Sequence, residues 1–243
     1  MRYFIHLAYK GTNYNGWQIQ PNAPSIQETI QKAMSTILNQ PIEIVGCGRT
    51  DTGVHAKEYY AHFDYDKPFP KLTLERINKF LPKDIVFYKI EKVVDEAHAR
   101  FNAYHRAYEY HIVFHKNPFE IDTAWYYYNA RQLDIEKMNA AAKLLLNYKE
   151  FAPFCKTNHQ AKTLICQLHR AEWEVRDDRL VFHIAANRFL RGMVRLLVGM
   201  FINIGIGKVT IDDLKDAMDN QTMMKKSHSV VAHGLYLTDI RYP

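Results

Sequence analysis

The chain predicts an α+β protein built from two tandem ferredoxin-like halves, and three observations lead there. Short alternating strands and amphipathic helices follow one another in the order β-α-β-β-α-β. That order occurs twice within 243 residues, and no low-complexity or linker-like run separates the two copies. Both copies carry apolar faces that need a layer to cover them, so side-by-side antiparallel sheets with helices on one face and a cleft between the halves are expected. The halves divide at residues 1–105 and 106–243.

The first half opens on the strand Tyr3 to Tyr9. Ser25 with Glu28 three residues later is a capping box; Ile26, Ile30, Ala33, Met34, Ile37 and Leu38 then share one apolar helix face. Strands follow at Ile42 to Cys47 and Tyr59 to Tyr65, a helix at Leu74 to Leu81 and a strand at Ile85 to Val93. In the second half Tyr108 to Phe114 reads as a strand. Asp134 caps a helix that turns Ile135, Met138, Ala142 and Leu145 inward. Leu164 to Val175 and Leu180 to Ala185 form a hairpin through Asp177-Asp178. A long helix from Phe189 to Ile204, a Thr210-capped helix and the strand Leu235 to Arg241 complete the pattern.

Composition narrows the function classes. The hydrophobic fraction of 47% and the charged fraction of 24% are those of an ordinary globular protein. Lys plus Arg exceed Asp plus Glu by 32 − 26 = 6, which favours a polyanionic partner. Met1 leads straight into a strand with no signal-peptide pattern, and the apolar run Leu196 to Gly207, broken by Asn203, is too short to span a bilayer. Three cysteines without a close pair fit a reducing cytoplasm, so no membrane and a cytoplasmic location are expected.

The chemistry concentrates between Val45 and Ala56: Val-Gly-Cys-Gly-Arg-Thr-Asp-Thr-Gly-Val-His-Ala. Three glycines in this stretch signal tight turns or close backbone approach to a ligand. Arg49 and Asp51 stand two apart between them. A loop capped by its own Asp and Thr side chains is the simplest account, but the order Gly-Arg-Thr-Asp-x-Gly-Val-His resembles the catalytic motif of the TruA family of tRNA pseudouridine synthases. Further blocks carry the same resemblance. They are Tyr9-Lys10-Gly11-Thr12-Asn13-Tyr14-Asn15-Gly16-Trp17-Gln18, the pair Ala99-Arg100-Phe101 and Tyr108-Glu109-Tyr110, Phe189-Leu190-Arg191-Gly192-Met193-Val194-Arg195, and Gly234-Leu235-Tyr236-Leu237. Together they span almost the whole chain.

The resemblance implies an enzyme that isomerises uridine in the anticodon stem-loop of tRNA, at positions 38 to 40. It also implies no cofactor, no metal, and a homodimer that holds tRNA across both subunits. Asp51 is the implied nucleophile. Breaking the glycosidic bond, turning uracil and rejoining it through C5 call for a carboxylate near C1′ in a pocket closed to water. Burial drives a carboxyl toward its neutral form unless a cation stands close, and Arg191 is placed against it by analogy. A stacked uridine has to be extruded, and Arg49 is the implied agent. Tyr108 is the candidate to stack on uracil and relay the C5 proton, while Tyr110 reads as core. Arg188, Arg191 and Arg195 would otherwise share one solvated stripe of a helix.

Phosphate contacts are expected from Arg100, Arg106, Lys156, Lys162, Arg188, Lys225 and Lys226, with Phe101, Tyr104 and Phe154 as stacking surfaces among them. His55 reads as a structural residue that ties the Asp51 loop together. Cys155-x3-His159-x6-Cys166-x2-His169 places four possible zinc ligands close together, but its order fits no common zinc pattern, and Cys166 and His169 would point to opposite strand faces. Lys10, Cys47, Thr52, Ala107 and Val231 depart from the family's usual residues, which leaves room for an altered RNA target. A non-catalytic RNA-binding protein lacks an aromatic strand motif here, and a hydrolase lacks a second acid near Asp51.

Overall fold

The computed structural model describes residues 1–155, 163–224 and 228–243. In chain order its elements are β1 (Arg2–Tyr9), α1 (Ile26–Leu38), β2 (Val45–Gly46), β3 (His55–Asp64), α2 (Thr73–Phe80), β4 (Ile85–Val93) and β5 (His105–Val113). They continue with β6 (Trp125–Tyr126), α3 (Ile135–Leu145), β7 (Leu168–Arg176), β8 (Arg179–Ala186), α4 (Met193–Gly205), α5 (Ile211–Asp219) and β9 (Leu235–Arg241). The fold is therefore mixed, with sheet and five α-helices among the described residues. Two units group these elements: Met1–Tyr104 together with Tyr236–Pro243, and His105–Leu235.

In the first unit β1 is central, antiparallel to β3 on one side and to β4 on the other. The far edge of β3 is shared: Val45 and Gly46 of β2 pair antiparallel with His62 and Ala61, while Tyr236 and Leu237 of β9 run parallel to His55 and Ala56. Helix α1 starts where Ser25 places it, with the Ser25 hydroxyl accepting from the Glu28 amide at 3.2 Å. It ends at Asn39 in the left-handed region, φ 52°. Ile26, Ile30, Ala33, Met34 and Leu38 are buried along one face.

The strand expected from Ile42 to Cys47 shrinks to two residues, and the reason is local. Ile42 and Ile44 do turn inward, but their amides are taken by the side chains of α1. Ser35 Oγ accepts from the Ile42 amide at 2.9 Å and Gln31 Oε1 from the Ile44 amide at 3.1 Å. With helix side chains satisfying the backbone, no strand partner is needed. The strand expected from Tyr59 begins earlier, at His55, because its first residues pair with the distant β9.

In the second unit β5 pairs antiparallel with β8, β8 with β7, and the short β6 runs parallel to β5. The β7–β8 hairpin turns at Asp177, φ 54°, where the sequence places it. Asp134 caps α3 by accepting from the Lys137 amide at 3.0 Å. Met138, Ala141, Ala142 and Leu145 of α3 are buried, as are Trp173, Phe182 and Phe201, whose rings pack together. The strand expected from Leu164 starts at Leu168, since Leu164 and Cys166 bond to Phe151 and Lys149 instead.

The Arg-rich helix expected from Phe189 is corrected at its start. Helix α4 begins at Met193, after Gly192 in the left-handed region at φ 73°. The chain turns from Leu190 to Met193 just ahead of it, so Arg188, Arg191 and Arg195 do not share one helical stripe. The rest of α4 is buried from Leu196 to Gly205.

Candidate active site

The Asp51 loop is residues 47–54, between β2 and β3 of the first unit. Asp51 is half-buried and Arg49 exposed. The loop is held in place chiefly by the Tyr9–Gln18 stretch, the other motif block of this unit. Before Asp51, the Thr50 carbonyl accepts from the Trp17 amide at 3.3 Å, and the Thr50 hydroxyl lies 2.9 Å from the Tyr9 hydroxyl. The Tyr59 hydroxyl donates to the Gly48 carbonyl. After Asp51, the Gly53 amide donates to the Tyr14 carbonyl at 3.3 Å and the Val54 amide to the Asp51 carbonyl at 3.2 Å. His55 closes the set: buried, its Nδ1 accepts from the Gly11 amide at 3.0 Å, and its ring lies on Tyr236 of β9. Its structural role is thus in the geometry.

Glycines make this interlock possible at two points. A Cβ on Gly11 would stand 2.0 Å from the Val54 carbonyl oxygen. A Cβ on Gly16, at φ 84°, would stand 2.2 Å from the Thr50 carbonyl oxygen. Only bare backbone allows the two segments to lie so close. The turn from Gly11 to Tyr14 is itself fixed to Asp84, whose carboxylate accepts from the Tyr14 hydroxyl at 2.7 Å and from the Asn13 side-chain Nδ2 at 3.2 Å. Burial, and then this carboxylate, push the Tyr14 hydroxyl pKa up.

The remaining expected residues belong to the second unit, apart from Arg100 in the first. Tyr108 is half-buried on β5, with its ring edge-on to Phe189 at 5.2 Å. Tyr110 is fully buried and donates to the Val231 carbonyl at 2.8 Å, so it is core. Arg191 is exposed on the turn before α4, and neither it nor Arg49 has a hydrogen bond or ion pair among the described residues. Arg106 donates to the Asn187 carbonyl at 2.9 Å, and Arg195 to the Val230 carbonyl at 2.7 Å. Arg188 is half-buried near the Cys155 and Cys166 thiols, where burial raises both pKa values, that of Cys166 to about 11, against the pull of the Arg188 charge. Arg100 lies exposed over the Phe101 ring at 5.7 Å. Lys156, Lys162, Lys225 and Lys226 lie outside the described residues, as does His159 of the zinc reading. His169 of that set stacks on His105, and among the described residues no group of three His, Cys, Asp or Glu side chains has the spacing to hold a metal. Nor is any described helix long and apolar enough to cross a membrane.

A family model described as tRNA pseudouridine synthase matches residues 141–243. Over its full length the chain is 47% identical to tRNA pseudouridine synthase A of Porphyromonas gingivalis, of which it covers 97%. The chain belongs to the tRNA pseudouridine synthase family of the TruA type. The relative in Parabacteroides distasonis is 44% identical over all of this chain and 96% of its own. That in Francisella tularensis subsp. novicida is 35% identical over 99% and 94%. The synthase is accordingly an isomerase.

Within this synthase the residues that depart from the family pattern lie mainly at backbone contacts. Lys10 is exposed, and its amide donates to the Asp84 carbonyl at 2.8 Å. Cys47 is buried with its amide on the Tyr60 carbonyl, Ala107 lies opposite Ala185 in the sheet, and Val231 offers the carbonyl that Tyr110 uses. Thr52 is exposed. Sequence reading missed the supporting side chains, above all Tyr9, Trp17 and Tyr59. Their only signal was membership of the first motif block and of β3, because nothing in a linear pattern says which loop a buried tyrosine reaches.

Proposed function

We propose that this synthase isomerises uridine to pseudouridine in the anticodon stem-loop of tRNA, at positions 38 to 40, with Asp51 as nucleophile. The Asp51 carboxylate attacks C1′, the C1′–N1 bond breaks, and the detached uracil carries the electron pair. Uracil turns, C5 bonds to C1′, the carboxylate departs, and C5 gives up its hydrogen. Tyr108 stacks on the base and relays that proton. Arg49 occupies the space the extruded nucleotide leaves, and Arg191 supplies the positive charge that keeps the carboxylate anionic. Arg100, Arg106, Lys156, Lys162, Arg188, Lys225 and Lys226 hold phosphates. Tandem ferredoxin-like halves, a homodimer, a cytoplasmic location and the absence of any cofactor complete the reading.

The observation that carries it is the Arg49-Thr50-Asp51 segment, flanked by main-chain bonds between Thr50 and Trp17 and between Gly53 and Tyr14. A carboxylate that must meet one carbon needs such fixed placement, because misplacement by about 1 Å can cost about a hundredfold in rate. Tritium release from C5-labelled uridine in unmodified tRNA tests it. Asp51→Asn is expected to abolish release while tRNA binding stays within a few-fold. Normal release by that variant would remove Asp51 from the mechanism.

A further inference from the structure

Three buried aromatic residues converge on the main chain just ahead of Asp51. Tyr9, the last residue of β1, is 4% exposed, Trp17 is 3% exposed and Tyr59 of β3 is 0% exposed. Trp17 stacks on Tyr59 at 4.1 Å, and Tyr9 meets Tyr59 edge-on at 5.4 Å. Their polar atoms point the same way along the chain: Tyr59 to the Gly48 carbonyl, Tyr9 to the Thr50 hydroxyl at 2.9 Å, and the Trp17 amide to the Thr50 carbonyl. The cluster has no slack on its β2 side. A Cβ added to Gly46 would lie 2.2 Å from the Tyr59 hydroxyl and 2.5 Å from Trp17.

Packing and polar duty separate cleanly at Tyr9. Its ring serves the core, while its hydroxyl reaches Thr50 on the side of the loop that leads into Asp51. A buried tyrosine hydroxyl has to find a hydrogen-bond partner, and here that partner is the side chain of the residue next to Asp51. Thr50 bonds through both side chain and carbonyl, so its position is set from two directions, and Asp51 is the next residue. We infer that Tyr9 is a positioning residue for catalysis: through Thr50 it fixes the direction in which Asp51 leaves the loop. This rests on the reading of Asp51 as nucleophile.

The test compares Tyr9→Phe, Thr50→Val and Thr50→Ser with the parent protein by single-turnover tritium release, tRNA binding and thermal melting. Tyr9→Phe keeps the ring and deletes one hydroxyl. It is expected to lower the single-turnover rate about tenfold, with tRNA binding within twofold and melting little changed. Thr50→Val should match it, the double variant should be no slower than either single, and Thr50→Ser should recover most of the loss. A parental rate in Tyr9→Phe, or additive losses in the double variant, would overturn the inference. Asp51→Asn run alongside separates the two claims. If it is inactive while Tyr9→Phe is unaffected, only the positioning role falls. If it turns over normally, the nucleophile reading falls and takes the positioning role with it.

Discussion

At the scale of single residues, buried polar groups here act by the hydrogen bonds they accept, and His62 shows what that costs in acid. It is 4% exposed, and its Nδ1 accepts from the Ala99 amide at 3.2 Å. Protonation would fill that lone pair. Burial first, and then the charges of Arg2 and His98, lower its pKa from 6.5 to about 4, with Asp64 pulling the other way. The folded-state value lies below the ordinary one, so the neutral form's stabilisation is complete above pH 6.5. Between pH 6.5 and 4 the unfolded chain binds the extra proton, and stability falls as pH falls. The upper bound on that loss is about 3 kcal/mol. His98 beside it is shifted the same way, by burial first. Urea unfolding followed across this range should show the slope, and His62→Gln, which keeps an acceptor for Ala99, should flatten it. An equal slope in both proteins would exclude His62 as the source.

At the scale of elements, α4 illustrates how tertiary contact overrides propensity. Gly199 lies in its interior, where replacement by alanine would ordinarily add about 1 kcal/mol of helix stability. The chain at residues 228–230 crosses the helix there: Val230 bonds to Arg195 through both its amide and its carbonyl, and a Cβ on Gly199 would stand 2.0 Å from the His228 carbonyl oxygen. Backbone cannot swing aside as a side chain can, so overpacking of about 1–3 kcal/mol is set against that gain. Gly199→Ala is therefore expected to lose up to about 2 kcal/mol net in urea unfolding. A gain would mean that the crossing segment yields freely. The same element marks the limit of reading periodicity. Ile26 to Leu38 and Ile85 to Val93 could be read to the residue, since the Ser25 cap marks the start of one and Pro82-Lys83-Asp84 breaks the chain before the other. The start of α4 could not, because Phe189-Leu190-Arg191 is as apolar as the helix it precedes and only the left-handed backbone of Gly192 separates them. The short β2 was misread for a related reason: Ile42 and Ile44 alternate like a strand while bonding to α1. Of the candidate site, the motif points to Asp51 and Arg49, but not to Tyr9, Trp17 and Tyr59, whose contacts depend on which strands become neighbours.

At the scale of the whole molecule, the excess of six positive charges matters less than which cations remain unspent. Much of the described surface charge is paired locally, as in Arg2 with Asp64, Arg176 with Glu174, Arg179 with Glu120 and Arg241 with Asp239. A guanidinium already shared with a carboxylate offers little to a phosphate. Arg49 and Arg191 make no such pair among the described residues, which leaves both open to RNA. The run Lys225-Lys226 adds two adjacent cations with no acid within four residues on either side. Each phosphate that a lysine neutralises releases counterions and steepens the fall of log K with log salt by about 0.7 to 0.9. The double variant Lys225→Ala/Lys226→Ala is therefore expected to bind tRNA more weakly at low salt, with a slope shallower by about 1.5. Filter binding of unmodified tRNA across a salt series reads both quantities. An unchanged slope with weaker binding would mean that these lysines support the fold and meet no phosphate, and the RNA surface would then have to be sought around Arg100 and Arg106.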